Sequence, residues 1–165
     1  MTDSMPTAAE LLGSRRRVLV TGGAGFIGGA VVRRLLKESE AIVFNLDKMG
    51  YASDLTSIEA VLSELGERAE QRHVLQRVDL ADAKAVREAV KAADPDLVMH
   101  LAAESHVDRS IAGPGVFIES NVTGTYNLLQ AVREHVEGLS GDRQENFRLH
   151  HISTDEVFGS LGAEG

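Results

Sequence analysis

The sequence predicts an α/β fold, a doubly wound parallel sheet with helices on both faces, on three observations. Short Val/Ile/Leu runs recur along the 165 residues, with helical patterns between them. The first run, Arg17-Val18-Leu19-Val20-Thr21, passes straight into Gly22-Gly23-Ala24-Gly25-Phe26-Ile27-Gly28. That turn opens a helix, because Val31, Val32, Leu35 and Leu36 follow at helical spacing.

The turn reads as a phosphate loop. Gly23, Gly25 and Gly28 satisfy G-x-G-x-x-G, and Gly22, Gly25 and Gly28 satisfy G-x-x-G-x-x-G. One glycine permits positive φ, one lets phosphate approach the backbone, and one lets helix and strand pack closely. The helix N-terminus adds N–H groups and a positive dipole for a pyrophosphate. A glycine fingerprint alone is a plain turn in most sequences; the strand before it, the helix after it and an acid further on give this one meaning. The second strand, 41–46, runs into Asp47, 19 residues beyond Gly28. An acid there takes the ribose hydroxyls and repels a 2′-phosphate, which favours NAD over NADP. The fold is therefore expected to be of the Rossmann type.

Three further strands are expected at 73–78, 97–101 and 147–152, and helices at 25–38, 54–66, 82–93 and 114–137. The expected strand order is 3-2-1-4-5, with ligand at the C-terminal strand ends beside the switch point. Residues 1–15 read as a loose arm, 16–165 as the nucleotide-binding domain and 138–146 as a surface loop. Arg15, Arg16 and Arg17 read as a solvated flank.

Composition excludes several classes. Hydrophobic content of 43% argues against disorder. A net charge of −8 argues against nucleic acid as a partner. With no cysteine, there is no disulfide and no thiolate metal site. No His/Asp/Glu cluster has metal-ligand spacing, so no metal is expected. No run reaches membrane-span length and no apolar signal core is present, so the expected compartment is the cytoplasm.

The strand ends converge on one crevice. Asp47 closes the second strand. Asp79 closes the third, either accepting from an adenine amino group or capping the next helix. The fourth strand delivers the run from His100 to Ile111. Its small Ala102 and Ala103 would let a nicotinamide dinucleotide lie against the backbone, and Ser105 would face the substrate. His100 and His106 read as packing or hydrogen-bonding residues, and Met49 and Met99 as near-core filler. Arg109 either pairs with Asp108 or reaches a phosphate. The fifth strand delivers Ser153-Thr154-Asp155-Glu156-Val157-Phe158-Gly159.

These segments resemble the extended short-chain dehydrogenase/reductase family. Within it, the chain resembles the N-terminal part of the dTDP-glucose 4,6-dehydratases from about residue 16 onward. The likeness is carried by Thr21 to Gly28, by Leu46-Asp47-Lys48 with Tyr51-Ala52, by His100 to Ile111 and by Ser153 to Gly159. It implies a NAD-dependent lyase that removes water from a nucleoside-diphosphate glucose to give the 4-keto-6-deoxy sugar. It implies Thr154, Asp155 and Glu156 as catalytic residues: Thr154 on the C4 hydroxyl, Asp155 as acid for the C6 hydroxyl and Glu156 as base at C5. Adjacent carboxyls in a partly closed site push their pKa values apart, which suits that division. Ser105 and Thr154 would touch substrate. Cofactor contacts are implied at Gly22, Gly25, Phe26, Ile27 and Gly28. Others fall at Asp47, Lys48, Asp79 and Leu80, and at Leu101, Ala102, Ala103 and Ser120. The resemblance also implies a homodimer, through the 114–137 helix.

The chain departs from the family pattern at Gly50 (commonly Thr), Asp54 (commonly Asn) and Phe158 (commonly Tyr). The family's Tyr-x-x-x-Lys pair is not found: Tyr51 and Tyr126 have no Lys four residues on. The sugar-nucleotide domain is expected to lie outside residues 16–165, so these residues alone are not expected to turn over. The alternatives are another extended dehydrogenase, such as a UDP-sugar epimerase or decarboxylase, and a non-catalytic NAD-binding module. The Asp155-Glu156 pair distinguishes the dehydratase, since a simple epimerase moves no proton at C5 and C6.

Overall fold

The computed structural model describes residues 5–159 and Gly162, without the side chains of Val107, Asp155 and Glu156. The strands are β1 (Arg17–Thr21), β2 (Ile42–Asp47), β3 (His73–Arg77), β4 (Leu97–His100) and β5 (Arg148–His151). They form one parallel sheet in the order β3-β2-β1-β4-β5, the order expected from the sequence. In register, Val18 lies beside Val43 and Leu97, and Thr21 beside Leu46 and His100.

β1 reads as an unbroken apolar run because both its faces are covered. Side chains alternate across the sheet with period two. Val18, Val20 and Val43 point into one layer, with Val32, Leu35, Leu36 and Ile58. Leu19, Phe44 and Leu46 point into the other, with Val86, Val90, Leu128 and Val132. The first layer is built from α1 (Ala8–Leu12), α2 (Phe26–Glu38) and α3 (Thr56–Leu65), followed by the short α4 (Glu67–Glu70). The second is built from α5 (Ala83–Ala93) and the long helix between β4 and β5. That helix follows α6 (Val107–Ala112). It comprises α7 (Pro114–Phe117), a π-helical stretch over Ile118–Gly124, and α8 (Thr125–Glu137). The backbone stays helical through both junctions, so the expected 114–137 helix is present, with its middle turns widened.

Three expectations need correction. The lead is not loose throughout. Residues 8–12 form α1, started by a capping box in which Thr7 Oγ1 accepts from the Glu10 N–H and the Glu10 carboxylate accepts from the Thr7 N–H. Ala8 and Leu12 are buried, and the Glu38 carboxylate of α2 accepts from the Ala8 N–H at 2.9 Å. The loop expected at 138–146 contains α9 (Gly141–Asn146). The basic flank is engaged: Arg17 Nε donates to Ala93 O at 2.7 Å at the end of α5, its guanidinium lies over Phe44, and Arg15 Nε donates to Asn146 O. Cations at helix C-termini satisfy carbonyls the helix leaves open.

Candidate functional site

The C-terminal ends of β1, β2 and β4 carry the glycine turn, Asp47 and the run after His100. Gly22 has a φ of +69°, and a Cβ placed on it would stand 2.7 Å from Ala102 Cα. The ends of β1 and β4 therefore meet backbone to backbone. A Cβ on Gly28 would run into the Gly22 carbonyl and stand 2.9 Å from Gly23 Cα. This residue is what lets α2 start so close to β1. Gly25 N–H donates back to Gly22 O at 3.0 Å, and Gly25 is the N-cap of α2 with no side chain capping it. The first N–H groups of a helix have no intrahelical partner. Phe26 and Ile27, at 95% and 62% exposure, are open to solvent at that end. Gly22, Gly23 and Gly28 are thus packed so closely against the chain's own backbone and Asn45 that they admit no side chain, and the turn stands at the positive end of a 13-residue helix, an arrangement that suits a pyrophosphate.

Asp47 organises this cradle from beside it. It is buried, and its Oδ2 accepts from the Ala24 N–H at 3.0 Å, inside the turn. Its Oδ1 accepts from the Met49 N–H and from Ser53 Oγ. The acid expected at the ribose therefore also ties the glycine turn to the loop after β2. Sequence reasoning singled out the residue but missed these hydrogen bonds.

His100 is buried at the C-terminal end of β4. Its Nδ1 lies 2.6 Å from Thr21 Oγ1 and its Nε2 lies 2.9 Å from Thr125 Oγ1. Thr21 Oγ1 also accepts from the Ala102 N–H at 3.3 Å. A neutral imidazole, one donor and one acceptor, fits between two hydroxyls. Burial first, then the nearby His151, pushes the His100 pKa down to about 4. The expectation of a hydrogen-bonding histidine holds, and the ring joins β1, β4 and α8.

Two asparagines of the long helix pin the loops that border the crevice. Asn121 Oδ1 accepts from the Glu104 N–H at 2.8 Å, and its Nδ2 donates to Glu104 O at 2.9 Å. Asn127, buried, donates to Leu80 O and Ala81 O. Leu80 is buried against Gly124, where a Cβ would stand 2.9 Å from the Leu80 Cβ. Neither asparagine was singled out from sequence. The Asn121-x-x-Gly124 spacing, polar and small residues on a helix's inner face, was the available signal.

Other expected site residues fall into place unevenly. Lys48 Nζ pairs with Glu104 Oε1 at 2.6 Å. Burial would lower the Lys48 pKa, but the Glu104 hydrogen bond and the charges of Glu104, Asp79 and Asp47 outweigh it and raise it. Asp79 is not the helix cap: Asp82 caps α5, accepting from the Lys84 and Ala85 N–H groups, while Asp79 Oδ1 accepts from the Ala81 N–H. Leu101 and Ala102 are half-buried, Ala103 and Ser105 exposed, and Ser120 half-buried on the π-helical stretch. Arg109 lies over the Tyr51 ring at 3.8 Å. Beyond β5, the Ile152 N–H donates to His100 O, and Ser153 and Thr154 are exposed. Asp155 and Glu156 open a 3-10 turn over Asp155–Phe158; their side chains lie outside the described structure. Among the described residues, no helix is long and apolar enough to cross a membrane.

Comparison with known proteins agrees with this geometry. The profile of the family described as GDP-mannose 4,6 dehydratase matches residues 19–165. A dTDP-glucose 4,6-dehydratase of Salmonella typhimurium is 49% identical over 145 residues, which is 88% of this chain and 38% of that protein. The crystal structure of DesIV, a dTDP-glucose 4,6-dehydratase from Streptomyces venezuelae with NAD and TYD bound, superposes with a TM-score of 0.69 at 40% identity. The match covers 89% of this chain and 42% of that one. The Thermus thermophilus UDP-glucose 4-epimerase, in complex with NAD, superposes at 0.59 with 35% identity over 72% of this chain and 34% of that one. The chain thus spans about two fifths of the length of the dehydratases it matches. With the glycine cradle, the acid at β2 and the run after β4 in their expected places, the chain belongs to the family described as GDP-mannose 4,6 dehydratase.

Proposed function

We propose that this chain is the NAD-binding part of a nucleoside-diphosphate-glucose 4,6-dehydratase, with dTDP-glucose as substrate. One observation carries the cofactor reading: Gly22, Gly23 and Gly28 leave room for backbone only, beside Ala102 and at the open end of α2. The identity with dTDP-glucose 4,6-dehydratases supports the reaction.

Phe26 and Ile27 would hold the pyrophosphate through backbone N–H groups, with Gly22, Gly25 and Gly28 giving it room. Asp47 would hold the ribose hydroxyls beside the three hydrogen bonds it already accepts, and Asp79 and Leu80 would border the adenine. Leu101, Ala102, Ala103 and Ser120 would flank the nicotinamide side. Bound NAD supplies a hydride acceptor, and later a donor. The chain's own residues would handle protons and positions. Thr154 would hydrogen-bond the C4 oxygen and Ser105 the sugar. Glu156 would take the C5 proton made acidic by a ketone at C4, and Asp155 would give a proton to the C6 hydroxyl as it leaves as water.

A homodimer forms the last part of the reading. The long helix buries Leu128, Ala131 and Val132, yet leaves Ile118, Val122, Tyr126 and Leu129 exposed. An unpartnered apolar face of that extent suits a second copy.

The test has two parts. Calorimetric titration of NAD into the purified chain should show one site, lost in Gly28→Ala. The full-length gene product, given dTDP-glucose, should yield a sugar nucleotide lighter by one water. Asp155→Asn and Glu156→Gln should lose roughly 10²–10⁴ in turnover while keeping NAD. An isomer of unchanged mass would instead mean an epimerase.

A further inference from the structure

We propose that Lys48 and Glu104 form a strap across the dinucleotide crevice that retains NAD; this rests on the NAD-binding reading above. The two residues leave strands that are not neighbours. Lys48 follows β2 and Glu104 lies beyond β4, with β1 between them. Adjacent strands stand about 4.8 Å apart, so the two flanking strands are separated by roughly 10 Å. Long side chains span that gap, and their ion pair closes at 2.6 Å, joining the loops that follow the two strands on either side of β1.

The two halves are not alike. Glu104 is held before it pairs: Asn121 grips its backbone N–H and carbonyl, and its side chain is 11% exposed. Lys48 is 35% exposed on a flexible stem. Glu104 is thus the fixed anchor and Lys48 the moving arm. The other acids near Lys48 are already engaged, Asp47 by Ala24, Met49 and Ser53 and Asp79 by the Ala81 N–H. A dinucleotide entering the crevice must pass the pair open, and leaving must break it again.

The experiment measures NAD release from the purified chain, loaded with NAD and then diluted into excess competing ADP-ribose. Lys48→Ala and Glu104→Ala should each speed release roughly tenfold, the loss of one charge-assisted hydrogen bond. The swap Lys48→Glu with Glu104→Lys should restore slow release, and Lys48→Arg should keep it. Charge alone predicts otherwise: losing the lysine would weaken a dinucleotide and losing the glutamate would tighten it. Opposite shifts, or unchanged rates, overturn the strap. Wild-type chain that binds no NAD overturns the cofactor reading and the strap together. Melting curves without NAD check that each variant is folded; if a single variant is not, the swap and Lys48→Arg decide.

Discussion

Gly22 and Ala102 touch through backbone alone: a Cβ on Gly22, at φ +69°, would stand 2.7 Å from the Ala102 Cα and 2.8 Å from its nitrogen. Gly22→Ala must therefore strain the turn and push β1 and β4 apart. The strain alone costs roughly 1–3 kcal/mol, and NAD affinity should fall at least about tenfold as the cradle opens. Gly66 is the control, since its φ is +75° with nothing within 4 Å. Gly66→Ala should show the strain without the loss of affinity, in urea melts and calorimetry run side by side.

Asp47 is expected to matter even with no ligand present. It accepts three hydrogen bonds, from Ala24, Met49 and Ser53. An amide in its place turns one acceptor into a donor facing a donor. Asp47→Asn should lose about 1–3 kcal/mol of stability in the unliganded chain. It should also narrow the preference for NAD over NADP, read as the ratio of the two dissociation constants.

His100 makes stability depend on pH. Its folded pKa, about 4, lies below the ordinary histidine value because burial and the nearby His151 oppose its charge. Between pH 6.5 and 4 the unfolded chain binds a proton that the native chain refuses. The contribution is therefore complete above about 6.5 and is lost as pH falls toward 4. From pH 7 to 5 this amounts to about 2 kcal/mol. Burial lowers His73 too, with the same sign. His100→Gln should remove only its own share of the slope in urea melts at pH 7, 6 and 5.

Leu12→Ala tests whether the lead belongs to the core. Leu12 is 5% exposed, in a cluster with Val18, Leu35 and Leu36. The truncation should cost about 2–3 kcal/mol, measured as a drop in urea midpoint with unchanged slope. A disposable arm would show no change.

Much of this architecture was legible in the residues. The strands of a doubly wound sheet are buried on both faces, so Val18 to Val20 and the runs beside them declare themselves by apolarity alone. The glycine turn was legible because close approach admits only one residue type. What escaped were features set by partners distant in sequence. The capping box from Thr7 to Glu10 was written in the chain, but only burial against Val32 and Leu36 makes so short a helix persist. Asp79 was expected either to meet an adenine or to cap the next helix; the backbone path after β3 gives the cap to Asp82 instead. The grip of Asn121 on Glu104 and the reach of Lys48 to it cross 17 and 56 positions respectively, and no local pattern announces them.

Asn121 and Asn127 stand six positions apart on one continuous helix, and each holds a loop on a different side of the crevice. The helix thereby acts as a ruler. The gap between the loop after β3 and the loop after β4 is gauged by one rigid rod. Either loop can be lengthened or recoloured beyond its pinned carbonyls while the gap stays the same. Altering the span would take a change in the rod itself.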